Sequence, residues 1–141
     1  MKLLDTAVRT AITNKLRDHV ILNSQAVPVY SRIVATPGPD TYINISSQSN
    51  TNGSDKQYFS IDHRVTIEIV HHWEEEADAI VIDELTNQVM ELLVVKEQKN
   101  MPDVTGLIDF QFVSAAQINE IDETPVILKN ILTFEAMIDE G

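Results

Sequence analysis

The stretch from Tyr58 to Trp73 constrains this chain most. Phe59, Ile61, Val65, Ile67, Ile69 and Trp73 occupy one parity, and Ser60, Asp62, Arg64, Thr66, Glu68 and His72 occupy the other. A period of two sustained this long specifies a strand in a sheet with one buried face. The period changes at Glu74-Glu75-Glu76, where acids suit the positive end of a starting helix. Ala77, Val81, Leu85, Val89, Leu92 and Lys96 then trace one line, which predicts a helix over 74–97. Ile80, Ile82, Met90, Leu93, Val94 and Val95 widen its apolar surface beyond one stripe, as burial against both a sheet and a neighbour requires.

The remaining elements follow from the same periods. Leu4, Val8, Ala11, Ile12, Leu16 and Val20 recur at helical spacing, which predicts an amphipathic helix over 3–21, ended by Asn23-Ser24 and Pro28. Residues 27–35 and 42–46 read as strands separated by a Pro/Gly turn cluster. Residues 47–57 hold no apolar residue and read as a long polar loop, an insertion or a hairpin tip. Lys99 to Gly106 is a connection. Strands are expected over 107–121, with Ile108, Phe110, Phe112, Ala116 and Ile118 on one parity, and over 126–138, joined by the acidic turn 122–125. The order α-β-β-β-α-β-β describes one α+β domain over 1–141, its largely antiparallel sheet covered on one face by two helices.

Composition narrows the function. Ten Lys/Arg against 22 Asp/Glu leave a net charge of −12, and the chain holds no cysteine. That excludes disulfides, thiolate metal sites and Cys nucleophiles. It also argues against a free nucleic-acid binder, which needs a basic face. The charge is uneven: residues 1–70 carry +1 and residues 71–141 carry −13. An acid excess is either an ordinary solvated surface or a surface that lets a polyanion slide past. No run of 18 or more apolar residues suggests a membrane span, and Asp5 stands where a signal peptide needs apolar residues.

Catalytic patterns are missing. The sequence has no G-x-S-x-G, and its four glycines, at 38, 53, 106 and 141, form no phosphate loop. His71 and His72 point to opposite faces of a strand, while His63 and His71 share a face roughly 26 Å apart, so neither pair suits one metal ion. The expected state is two partly buried histidines and one at the surface, with His19 at the end of the first helix. No enzyme, metal or cofactor is expected.

The strand ending H-R-V-T-I-E-I-V-H-H-W, the helix A-D-x-I-x-x-x-V-M-x-L-L and the ending L-T-F-E-A-M-I together suggest a family. This pattern resembles the tail-completion and tail-terminator (head–tail joining) proteins of tailed phages. It is carried by Val65, Ile67, Ile69, Trp73, Ala77, Ile80, Val89, Leu92, Leu93, Leu132 and Phe134. The polar stretch 47–57 departs from it, being longer than the family's usual connection. The resemblance implies a virion structural protein assembled in the host cytoplasm. It would be a ring, sixfold or alternatively twelvefold, at the head–tail junction. Its neighbours would be tail-tube and head-completion or portal-side proteins, and genomic DNA would pass through the lumen without specific binding. A head–tail adaptor of a short-tailed phage and a small ligand-binding or regulatory module are the competing readings. The acids expected to face the channel are Glu120, Asp122 and Glu123. The residues expected at subunit contacts are Ser47, Asn50, Asn52, Asp55, Trp73, Ile80 and Met90.

Overall fold

A computed structural model describes residues 2–31, 34, 39–52, 60–94, 104, 106–120 and 126–139. Its elements are α1 (Lys2–Leu16), β1 (Ile21–Leu22), β2 (Gln25–Ala26), β3 (Val29–Ser31), β4 (Thr41–Asn52), β5 (Ser60–Trp73), α2 (Ala77–Leu93), β6 (Leu107–Glu120) and β7 (Val126–Asp139). β1 and β2 form a small ribbon, and the other strands form one sheet in the order β3-β4-β5-β7-β6. Only the β3–β4 pair is parallel. The α+β class therefore holds, with a strand ribbon added between α1 and β3.

Both helices lie on one face of the sheet. Val8, Ile12 and Leu16 of α1 and Ile82, Leu85, Val89 and Leu93 of α2 share one cluster with Ile43, Ile45, Val65, Ile67, Ile69, Leu132 and Phe134. The parity that defined β5 is the buried one: Val65, Ile67 and Ile69 are fully buried. On the same face, toward the β6 edge, Phe134 stacks on Phe110 at 5.4 Å and meets Phe112 edge-on at 5.8 Å.

Several boundaries differ from the sequence reading, each for a local reason. α1 stops at Leu16 and not at Ile21, because Asp18 takes a left-handed conformation at φ 66°. Val20 is nevertheless buried, so the apolar stripe outlasts the helix. Asn23 (φ 52°) and Ser24 (φ 65°) are not a helix stop but the two-residue turn joining β1 to β2. β3 covers Val29–Ser31 of the expected 27–35, starting two residues late, and residues 32, 33 and 35 lie outside the described residues. α2 begins at Ala77 and ends at Leu93, short of the expected 97, because Val94 takes an extended conformation at φ −123°; residues 95–97 lie outside the described residues.

The largest correction concerns the polar stretch. Residues 47–52 are strand and not loop: β4 runs to Asn52 and pairs with β5 through Asn52↔Ile61, and the rest of the stretch, 53–57, lies outside the described residues. Ser46 is an extra residue in this ladder, since Ile45 pairs with Ile67 and Ser47 with Thr66. Past that bulge Gln48 and Asn50 turn to the helix face, opposite Val65 and His63. β6 carries two more bulges, at Ile108 and at Val113, and the one at Val113 breaks the parity expected for this strand. Phe110 and Phe112 lie on the helix side, but Ala116 and Ile118 fall on the opposite face, across from Ile131 and Lys129.

Candidate functional site

The described surface is distinguished by its strand edges. β6 has no partner on its outer side among the described residues, and residues 111–119 are exposed on both faces. Neither helix extends over it. Of the exposed large apolar residues, Phe112, Val113 and Ile118 all stand on β6, joined by Ile80 on α2, which is 70% exposed. Residues 110–119 contain no charge. A long, uncharged, apolar edge in a protein is a template for pairing with another chain unless something covers it.

At the opposite side of the sheet β3 covers β4 only as far as Ile45. Beyond it, among the described residues, the outer edge of β4 is unpaired from Ser47 to Asn52, and the chain is uncharged from Thr41 to Ser54. A polar network holds this half of β4 down. Gln48 Nε2 donates to the Asp5 carbonyl at 2.9 Å and lies 2.9 Å from His63 Nε2, while Arg9 Nη1 donates to Gln48 Oε1 at 2.9 Å. Asn50 Nδ2 donates to Asp5 Oδ1 at 3.0 Å, and Asn50 Oδ1 faces His63 Nδ1. Those two amides fix His63 as the neutral Nδ1–H form, because Gln48 offers its ring only a donor and Asn50 only an acceptor. His63 is fully buried, and burial pushes its pKa down against the opposing pull of Asp5. Among the described residues, no group of three metal-ligating side chains forms.

A second linkage fixes the entry to α2. Thr41 Oγ1 lies 2.6 Å from His71 Nδ1, and His71 Nε2 donates to Asp78 Oδ1 at 2.6 Å. Asp78 Oδ2 also accepts the backbone N–H groups of Glu74 and Glu75 at 2.7 and 2.9 Å. These bonds, with His71 third, hold the Asp78 carboxyl below its ordinary pKa. Hydroxyl, imidazole and carboxylate thus stand in a row, but the row clamps β4, β5 and α2 together. The cleft between Trp73, Ile82 and Asn130 and the one between Asp5 and Gln48 are lined by neither Thr41 nor His71.

On the sheet face away from the helices, Lys129 Nζ donates to Glu120 Oε1 at 2.7 Å. That bond raises the Lys129 pKa. Burial raises the Tyr42 pKa, opposed by Lys129. Glu120 therefore has a cation beside it that the neighbouring sequence did not show. Asp122 and Glu123, like Asp55, lie outside the described residues. Of the expected contact residues, Ser47 is exposed on the β4 edge and Ile80 projects from α2, whereas Trp73 and Met90 pack against the core. Asn50 is tied into the His63 network, and Asn52 closes the β4 ladder. None of the three strand histidines is the surface one expected: His63 is fully buried and His71 and His72 are partly buried, while the exposed His19 lies beyond the end of α1. The sequence reading missed the β6 edge, although its ten uncharged residues and its apolar content were both visible.

One sheet with a parallel β3–β4 corner and two helices on one face defines the fold class. A chain in the solved structure of the virion of a native gene transfer agent (GTA) particle has this fold, with a TM-score of 0.76 at 18% identity over 99% of each chain. The sequence matches no family model and no curated protein. No helix among the described residues is long and apolar enough to cross a membrane.

Proposed function

We propose that this chain is a non-enzymatic structural protein of a tailed-phage virion, forming a ring at the head–tail junction that ends or joins the tail and lets DNA pass. The full-length fold shared with a chain of a virion particle carries this reading. Two features support it. The uncharged edges suit contact with other protein chains. The acid excess of residues 71–141 suits a lumen from which phosphates are repelled. Glu120, Asp122 and Glu123 are the acids proposed to face that lumen, with Lys129 offsetting part of the charge at Glu120.

Electron microscopy of particles carrying this chain with a small C-terminal tag tests the reading. A ring of density at the head–tail junction, decorated in proportion to its symmetry, is the expected result. Sixfold decoration fits a tail terminator and twelvefold a short-tailed adaptor. Particles that contain no copy of the chain would end the virion reading.

A further inference from the structure

We propose that β6 of one copy adds to the outer edge of β4 of the next copy, so that the sheet continues from subunit to subunit; this rests on the ring reading above. Both edges are free among the described residues, β6 over 110–119 and β4 over 47–52, and both stretches are uncharged. In a chain of net charge −12, copies repel one another at most surfaces, and these edges are where they can approach.

The strand directions agree. β4 runs antiparallel to β5, β5 to β7, and β7 to β6, so β4 and β6 run in opposite senses. A second copy in the same orientation therefore offers β4 antiparallel to the β6 edge, as in the rest of the sheet. Head-to-tail contacts of this kind close into a ring when the rotation between copies divides a full turn, and otherwise run on as a filament. Closure would cover the β6 edge and the outer half of β4, leaving only the short β3 at an edge among the described residues. The rival use of the edge is β6 against β6 about a twofold axis. Centred on 110–119, that arrangement sets Asp109 opposite Glu120 twice, a like-charge pairing that β4 avoids.

Ser47, Ser49 and Thr51 on β4 and Ser114, Ala116 and Ile118 on β6 lie on the face away from the helices, and all six are exposed. The natural chain has no cysteine, so introduced thiols report only their own neighbours. The test places one cysteine on each edge, in each of the nine combinations, and oxidises purified particles and concentrated free protein. Adjacent antiparallel strands bring facing Cβ atoms within disulfide reach. The expected result is a ladder of cross-linked oligomers for the in-register combinations, absent from every single-cysteine variant. Cross-linked dimers from β6 cysteines alone would overturn the proposal in favour of the twofold contact. Rings visible in particles with no β4–β6 cross-link would overturn it while leaving the ring reading intact. Absence of any ring would remove both. Ala116→Lys and Ile118→Lys, which touch no core, should keep the native circular dichroism and lower incorporation into particles at least tenfold. Wild-type incorporation would also overturn the proposal.

Discussion

Gln48 Nε2 sits 2.9 Å from the Nε2 of the fully buried His63, so a polar residue of the outer strand closes the hydrogen bonding of an imidazole in the next strand. The contact binds residues 47–52 into the sheet, although their inward positions carry no apolar side chain.

Acid should therefore destabilise the fold through His63. Its pKa is lowered in the folded state, so the unfolded chain binds the proton more readily. The stabilisation is complete above the ordinary imidazole range and is lost as pH falls below about 6.5, until the lower folded value is reached. Protonation would also set an Nε2–H against the Gln48 amide donor. Urea midpoints measured from pH 8 to 5 should fall across this window, and His63→Gln should flatten the slope. A midpoint independent of pH in the natural chain would remove His63 from the account.

Ile67→Asp should unfold or aggregate the protein. Ile67 is fully buried and shares a cluster with Ile82, Leu85 and Val89 of α2, so a carboxylate there would be buried without a partner, at a cost of several kcal/mol. A soluble variant with a native circular dichroism spectrum would contradict the burial of this strand face.

Gly106→Ala should cost about 1–2 kcal/mol or more in unfolding free energy. Gly106 has φ +82°, and an added Cβ would lie 2.5 Å from the backbone oxygen of Asp139. The same glycine accepts the Asp139 N–H through its carbonyl at 2.9 Å, so relief of the clash strains that bond. Chemical denaturation measures the change; equal stability would show that the start of β6 can move freely.

Asp78→Ala should destabilise the chain by about 1–2 kcal/mol, because two backbone N–H groups and His71 lose one acceptor. Asp78→Asn, which keeps an acceptor oxygen, should recover part of the loss. The depressed carboxyl pKa adds a second window, in which stability present above the ordinary aspartate range is lost as pH falls through the folded value. Thermal melts of both variants at pH 7 decide between this clamp and an idle surface carboxylate.

What the sequence revealed divides along chemical lines. β5, β7 and the buried face of α2 were legible because their inward positions are apolar apart from His63, His71 and Asn130, and their periods are unbroken. The outer half of β4 was not, because its inward residues are Gln48 and Asn50, whose partners Asp5, Arg9 and His63 are distant in sequence. A buried polar network leaves no hydropathy period. The β6 parity failed for a different reason: Val113 is an extra residue, and one extra residue turns every later side chain over. At the candidate site, the β6 edge escaped because β6 looked like any other alternating strand. Its place at the end of the sheet depends on β7 lying between it and β5.

The bulges also decide where this chain can tolerate a change of length. Ser46, Ile108 and Val113 are each one residue more than the partner strand supplies. Deleting any one of them would leave every later pairing in place, whereas a one-residue deletion elsewhere in β4 or β6 would exchange the two faces of the strand beyond it. Insertions and deletions accepted during divergence of this fold are thus expected at those three joints, and a screen of single-residue deletions should recover folded protein there first.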